Sequence, residues 1–210
     1  MSNNGIFIVL EGPDRAGKST QAKNLAEFLA ECSIETVHTR EPGGTAFAEA
    51  IRNILLDPAY EVADISELLL YEAARAQHTE KLIRPALAAG KAVLSERYTM
   101  SSLAYQGCGR GIALETIARL NEIATGGLKP DLTLVFLMPD ERFSERGQHR
   151  RADRLEMEGD AFRLRVREGF KRLAQEDPSA VIINADQTID NTAAEIRSIV
   201  SALPALKNRI

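Results

Sequence analysis

A glycine-rich segment near the start of the chain carries residue types that are suited to binding phosphate. Residues Gly12 to Ser19 (GPDRAGKS) fit the pattern G-x-x-x-x-G-K-[ST] at every fixed position. Glycine allows successive backbone N–H groups to turn inward around phosphate oxygens, and the helix that follows adds its positive N-terminal end. In such a loop Lys18 supplies a cation for the β- and γ-phosphates, and the Ser19 hydroxyl binds magnesium. The pattern therefore predicts a loop that binds ATP or GTP together with Mg²⁺.

Two later segments carry charges that a phosphate-transferring enzyme needs beside such a loop. Thr39 to Thr45 (TREPGGT) follows the second short apolar run, and Leu94 to Tyr98 (LSERY) ends the third. Loops at the carboxyl ends of parallel strands form the ligand crevice of an α/β sheet, so we expect Glu96 to organise magnesium and Arg97 to hold phosphate there. The arginine-dense segment from Glu141 to Arg172 is a candidate lid.

These features favour a small kinase over other proteins with the same loop. The Asn-Lys-x-Asp motif, with which guanine-specific GTPases read their base, does not occur in the sequence. Helicases and transporter ATPases generally need a larger body than 210 residues. A small kinase instead needs what this sequence offers, namely a second phosphate pocket and a cationic lid.

The elements that must position these residues follow from the alternation of short apolar runs and longer helical patterns. This alternation predicts parallel β-α-β units. Such units form an α/β fold, here of the P-loop type, with a five-stranded parallel sheet and helices on both faces. Because Pro85 interrupts it, the long pattern from Ile65 is expected to form two helical pieces. The predicted strands are Ile6–Leu10, Thr36–Thr39, Ala92–Ser95, Leu132–Met138 and Val181–Ala185, and the predicted helices are Thr20–Glu31, Ala46–Leu56, Ile65–Ala89, Leu114–Ala124 and Ile189–Leu203. We expect residues 1–210 to form a single domain with the lid at about 141–160.

Composition limits the partners and the compartment. With 26 basic and 30 acidic residues the net charge is -4, which argues against duplex nucleic acid as a partner. The two cysteines, Cys32 and Cys108, give neither a disulfide framework nor a zinc spacing. No signal-peptide pattern and no apolar stretch of membrane-spanning length occurs. We therefore expect a cytoplasmic protein that does not bind membranes.

Several longer stretches resemble one family of kinases. They fall in the same order and spacing as in thymidylate kinases and cover most of the chain from Ile6 to about Ala185. The stretches are Phe7 to Gln21 (FIVLEGPDRAGKSTQ), Thr39 to Thr45, Ala48 to Leu56 (AEAIRNILL), Leu68 to His78 (LLLYEAARAQH), Ser95 to Gly111 (SERYTMSSLAYQGCGRG) and Pro130 to Leu137 (PDLTLVFL). The resemblance implies a homodimer that transfers the γ-phosphoryl group of ATP to dTMP.

The resemblance also implies roles for individual residues. Catalytic roles fall on Arg15, Lys18, Glu96 and Arg97, and the metal is expected at Ser19 and, through water, at Glu96. ATP binding is expected from Gly12, Pro13, Asp14, Arg15, Ala16, Gly17, Lys18, Ser19 and Thr20, and from one or two of the lid arginines Arg146, Arg150, Arg151 and Arg154. Binding of dTMP is expected from Asp14, Arg40, Arg52, Tyr71, Arg75, Arg97, Ser101, Ser102, Tyr105 and Gln106.

Some of these residues also have an ordinary structural interpretation. Asp14 is also a common turn residue, and the arginine run could be a solvated face. Tyr71 and Arg75, one helical turn apart, are expected to read thymine by stacking and hydrogen bonding, but could also be a core tyrosine and a surface arginine. We assign no role to the three histidines, His38, His78 and His149.

Two departures from the family pattern keep other functions open. Glu96 stands where the family usually has Asp, and Met138 lies near where many relatives have Asp. The longer Glu96 side chain is expected to alter the rate, so that Glu96→Asp should differ measurably in turnover. One alternative is a kinase for another deoxynucleotide or for several of them. The other is a weakened nucleotide-binding protein with a regulatory role.

Overall fold

A five-stranded parallel sheet lies at the centre of the computed structural model, which describes residues 5–139, 154, 155 and 157–206. Its strands stand in the order β2-β3-β1-β4-β5, and each neighbouring pair is parallel. The strands are β1 (Ile6–Glu11), β2 (Thr36–Arg40), β3 (Ala92–Glu96), β4 (Leu132–Leu137) and β5 (Ala180–Asn184). The predicted fold class and the five predicted strands are confirmed.

Helices cover both faces of the sheet. They are α1 (Lys18–Glu31), α2 (Ala46–Leu56), α3 (Asp64–His78), α4 (Arg84–Ala88), α5 (Thr99–Ser102), α6 (Leu114–Thr125), α7 (Asp160–Glu176) and α8 (Ile189–Ser201), with π-helical segments π1 (Thr79–Ile83) and π2 (Leu103–Gly109). Side chains of β1 alternate between the faces. Ile8 packs in one core with Leu25 of α1 and Ile196 of α8, and Phe7 packs on the other face with Leu87 of α4.

The helical segment around Pro85 is interrupted as predicted, though by an unpredicted π-helical segment. Helix α3 passes into π1, and Pro85 then lies in the first turn of α4. Proline has no backbone N–H to donate, and the residue before it, Arg84, donates its N–H to the Thr79 carbonyl oxygen in the π-helical pattern. In the part of the chain that the structure describes, no helix is long and apolar enough to cross a membrane.

Helix α7 is the longest element that was not predicted from the sequence, because its charges concealed an apolar stripe. Phe162, Val166, Phe170 and Leu173 are all buried and recur every three or four residues. They pack against the π2 segment, for which the sequence had likewise given a motif but no predicted helix. The charge-dense segment is therefore partly a structural helix, while most of the predicted lid (residues 141–153 and 156) lies outside the described residues.

Candidate active site

The glycine-rich loop joins β1 to α1 and depends on two residues without a side chain. Gly12 has φ 128°, and a Cβ there would come within 2.4 Å of the Phe136 carbonyl oxygen on neighbouring β4. Gly17 has φ 92°, a backbone conformation that residues with a side chain rarely adopt, although a Cβ there would face open space. Arg15 also has positive φ, 63°, a conformation that is uncommon outside glycine. The loop therefore has the conformation that its sequence predicts.

Lys18 lies under this loop rather than in solvent. Its Nζ donates hydrogen bonds to the Gly12 carbonyl oxygen at 2.9 Å and to the Pro13 carbonyl oxygen at 2.6 Å. Burial, followed by repulsion from Arg97, lowers the pKa of Lys18 to about 7. An anion at the loop would stabilise the ammonium form, so the site has a built-in preference for negatively charged ligands.

Arg97 joins the loop to the segment after β3. Its guanidinium donates to the Gly12 carbonyl oxygen (3.0 Å), to Ser101 Oγ (3.1 Å), to Asp14 Oδ1 (2.6 Å) and to the Tyr105 hydroxyl (3.2 Å). Its φ of 75° is strained for a residue with a side chain. The strained residue is therefore the one that was predicted to hold phosphate.

Asp14 stays ionised because of these neighbours. Burial alone would raise the pKa of its carboxyl, but the charges of Arg97 and Lys18 and hydrogen bonds from Arg97 and Tyr105 hold the pKa well below its usual range. The Tyr105 hydroxyl donates to Asp14 Oδ2 at 3.0 Å. Burial raises the pKa of Tyr105 well above its usual value, so this phenol remains a neutral donor.

Glu11, to which no role was assigned from the sequence, stabilises the segment that follows β3. It is the last residue of β1, is fully buried, and accepts hydrogen bonds from the backbone N–H groups of Tyr98 and Ser101 and from the Ser101 hydroxyl. Burial raises the pKa of this carboxyl, although these hydrogen bonds and Arg97 oppose the shift. An acid that ends a run of five apolar residues is the signal that could have identified it.

Glu96, at the end of β3, contacts the first turn of α1. Its Oε2 accepts a hydrogen bond from Ser19 Oγ at 2.5 Å, and its Oε1 lies 2.9 Å from His38 Nε2. Burial would raise the pKa of Glu96, but hydrogen bonds from His38 and Ser19 and the nearby charges hold it below the usual range. The two residues predicted at the metal, Ser19 and Glu96, are thus in contact, and His38, to which no role was assigned, contacts Glu96.

Arg75 lies at the back of the site and is almost fully buried. It donates to Glu41 Oε2 (2.8 Å) and Glu72 Oε1 (2.5 Å), and also to Ser102 Oγ, Asn121 Oδ1 and the Tyr98 carbonyl oxygen. Burial would lower the pKa of Arg75, but the two carboxylates raise it well above its usual value. Arg75 is therefore neither a surface residue nor a mobile one.

One crevice brings most of the predicted acceptor residues together. Arg40 lies outside it, where its guanidinium is paired with Glu49 at 3.0 Å on the exposed side of α2. Arg52 donates to the Pro42 carbonyl oxygen at the rim. The lining residues are Asp14, Glu41, Pro42, Arg52, Leu56, Tyr71, Arg75, Arg97, Ser101, Ser102, Tyr105, Gln106 and Leu155.

A second crevice lies on the other side of Asp14 and Tyr105, between the loop and α7. Arg15 and Met138 line it, and so do Arg163 and Arg167 of α7, which the sequence analysis did not select. Their spacing of four residues places both arginines on one face of the helix. Arginines therefore lie beside the loop in this crevice. Met138 also lines it and carries no charge, unlike the aspartate of the family pattern.

Of the four predicted lid arginines, only Arg154 lies among the described residues. Arg146, Arg150 and Arg151 lie outside the described residues. Arg154 lines neither crevice but donates to the Leu55 carbonyl oxygen and, at 2.5 Å, to Glu67 Oε2. Because Glu67 is fully buried, its charge needs a cation, and Arg154 supplies one.

Comparisons with known proteins identify the family to which this sequence and fold belong. The family model for thymidylate kinase matches residues 10–196. A thymidylate kinase of Ectopseudomonas mendocina is 48% identical over 205 residues, covering 95% of this chain and 96% of that protein, and one of Pseudomonas fluorescens Pf-5 is 49% identical over 211 residues, covering 98% of each. The crystal structure of a thymidylate kinase from Ehrlichia chaffeensis, at 33% identity, superposes with a TM-score of 0.78 over 93% of this chain and 98% of that one. The chain belongs to the thymidylate kinase family.

Proposed function

We propose that the chain transfers the γ-phosphoryl group of ATP to dTMP, giving dTDP and ADP. The observation that carries this proposal is the shared crevice, in which Asp14 of the phosphate loop and Arg97, which binds that loop, line the same space as Tyr71 and Arg75. An acceptor whose base lies against Tyr71 and Arg75 has its phosphate directed toward the loop. Membership of the thymidylate kinase family supports thymine as that base.

On the donor side, catalysis is positioning and charge neutralisation. Phosphoryl transfer needs little covalent chemistry from the protein, because the transferred group carries its charge on oxygens that cations can hold. The backbone of the loop and Lys18 hold the β- and γ-phosphates, and Arg15 neutralises charge on the transferred group from the second crevice. Arg97 brings the acceptor phosphate against the loop through its contact with Asp14.

On the acceptor side, Tyr71 stacks on the base and Arg75 donates to its edge. Ser101, Ser102 and Gln106 line the same crevice and contribute polar contacts around the base. The Tyr105 hydroxyl, held between Arg97 and Asp14, lies against the sugar and favours deoxyribose.

A magnesium ion fits the residues at the start of α1. Mg²⁺ in kinases is bound by one or two protein oxygens together with substrate phosphates and water. The Ser19 hydroxyl would be such a ligand, and the Glu96 carboxylate, which accepts a hydrogen bond from it, would act through a metal-bound water. Among the described residues no cluster of three or more His, Cys, Asp or Glu side chains is placed to hold a metal by itself, which accords with an ion that arrives with ATP. When bound, the ion neutralises charge on the β- and γ-phosphates.

We further propose that the chain acts as a cytoplasmic homodimer of single kinase domains, residues 1–210, each with a lid at about 141–160. An apolar surface formed by α2, α3 and α6 supports a second copy as partner, since large apolar side chains from adjacent helices are exposed there. They are Phe47, Ile54, Ile65, Leu69 and Ile123. Two free cysteines, Cys32 and Cys108, suit a reducing compartment.

The test is ADP release with Mg-ATP and a panel of acceptors: dTMP, dUMP, dCMP, dGMP and UMP. We expect dTMP to be preferred by at least about tenfold in kcat/KM, a difference of about 1.4 kcal/mol in transition-state binding. Lys18→Ala serves as the control without turnover. Equal rates for several acceptors would favour a broader kinase, and ATP binding without ADP release would favour a regulatory protein.

A further inference from the structure

His38 approaches the site from β2, an element to which no catalytic residue was assigned. In the register of β2 and β3, His38 pairs with Leu94, and Arg40 pairs with Glu96. Side chains two residues apart on a strand share a face, so the imidazole lies beside the Glu96 side chain. His38 Nε2 is 2.9 Å from Glu96 Oε1. Since a carboxylate only accepts, Nε2 carries the hydrogen in this contact.

The contact holds the end of a side chain that is longer than the family pattern provides. Glu96 has one more rotatable bond than the usual aspartate, and a methylene group extends it by about 1.5 Å. Both of its oxygens are engaged, Oε1 by His38 and Oε2 by Ser19 at 2.5 Å. An aspartate at position 96 would withdraw the carboxylate beyond hydrogen-bonding distance of His38.

Burial argues against a purely structural role for this pair. The His38 side chain is 36% exposed and that of Glu96 is 15% exposed, so the contact lies at the edge of the sheet, outside the core. An exposed pair of this kind contributes little to stability. Its geometric effect is larger, because it fixes the oxygen opposite Ser19 and so leaves the carboxylate with a single orientation toward the loop.

We propose that His38 is a positioning residue for Glu96 that compensates for the extra methylene of the glutamate. This inference rests on the proposed function, since Glu96 acts only when Mg-ATP is bound. His38 touches neither substrate. It acts by holding Glu96 and Ser19 in the arrangement that suits the ion.

The test is a double-mutant cycle between His38 and Glu96, measured in two ways. His38→Ala should lower kcat about tenfold, the size typical of residues that orient a metal ligand, with the KM for dTMP unchanged within about twofold. His38→Gln, whose amide N–H can replace Nε2–H, should retain most of kcat. In the Glu96→Asp background, His38→Ala should change kcat by less than about twofold, because the shorter carboxylate has already lost the contact.

The second measurement is the thermal unfolding of the same variants without metal or nucleotide. His38→Ala should lower Tm by about 2 °C in the wild-type background, as expected for a partly exposed pair, and not at all beside Glu96→Asp. Lys91→Ala is a matched control, since it removes an exposed ion pair with Glu35 next to the opposite end of the same strands, and it should leave kcat unchanged.

An unchanged kcat in His38→Ala, an equal loss in both backgrounds, or a His38→Gln variant as slow as His38→Ala would overturn the proposal. A wild-type chain that does not phosphorylate dTMP would instead contradict the proposed function. The two failures are distinguishable, because the Tm coupling between His38 and Glu96 is measured without turnover.

Discussion

Replacement of Arg75 by methionine should damage stability and acceptor binding together. Arg75 is 1% exposed, and its guanidinium neutralises two buried carboxylates, Glu41 and Glu72. Glu72 Oε2 already has no hydrogen-bond partner among the described residues, so the loss of Arg75 leaves this carboxylate still less compensated. Removing one partner of a buried ion pair costs about 3–5 kcal/mol. At about 2–4 °C per kcal/mol for a chain of this size, Tm should fall by roughly 6–20 °C.

Thermal unfolding of Arg75→Met, followed by circular dichroism, measures this fall. The matched control is Arg119→Met, which breaks an exposed pair with Glu122 and should shift Tm by less than about 1 °C. At temperatures where the Arg75 variant remains folded, the KM for dTMP should rise about tenfold or more through the lost charged hydrogen bond, with the KM for ATP unchanged. A variant that melts within about 2 °C of the wild type, or that binds dTMP normally, would refute the reasoning.

Two further predictions follow from other buried charges. Burial lowers the pKa of Lys18 from 10.5 to about 7, so between these values the unfolded chain binds more protons and the free energy of unfolding rises with pH, by up to about 1.4 kcal/mol per pH unit. Lys18→Met should lose that rise in denaturant titrations at pH 7–10 and should also lose turnover; an unchanged slope would contradict the shift. Glu67→Gln removes the buried carboxylate that holds Gln106, Arg110 and Arg154. It should lower Tm by at least about 6 °C and raise the KM for dTMP, and a variant with wild-type values of both would show that this cluster is dispensable.

The parts of the site that the sequence predicted well are those whose residues are contiguous. The loop from Gly12 to Ser19 is defined by spacing along the chain, and the strand before it and the helix after it follow from apolar periodicity. Tyr71 and Arg75 share a helix, so their joint presence in one crevice required only a helical turn of four residues.

The parts that the sequence could not predict depend on contacts between distant elements. Apart from Glu72, which lies three residues earlier on the same helix, the partners of Arg75 come from positions 41, 98, 102 and 121, and no pattern in the sequence connects these with it. The attachment of Arg154 to Glu67 and of Arg40 to Glu49 likewise depends on which carboxylate lies nearest after folding. The positive φ of Arg97 is imposed by its surroundings, because a side chain at this position disfavours it.

Helix α7 shows the opposite difficulty, in which a strong local signal conceals a weaker one. Its four arginines, at positions 163, 165, 167 and 172, suggested a charged surface segment. The apolar stripe of Phe162, Val166 and Phe170 nevertheless determines how the helix packs, because the burial of large apolar side chains outweighs the weak energetics of exposed charges.

The central claim is that donor and acceptor meet in one continuous site, and a crystal structure with a bisubstrate analogue tests it most directly. In a suitable analogue, a chain of phosphates joins adenosine to thymidine. We expect the thymine ring to stack on Tyr71 within hydrogen-bonding distance of Arg75, and the phosphate chain to pass Arg97 and enter the loop above Lys18. A thymine ring bound elsewhere, with the crevice between Tyr71 and Arg75 empty, would contradict the account.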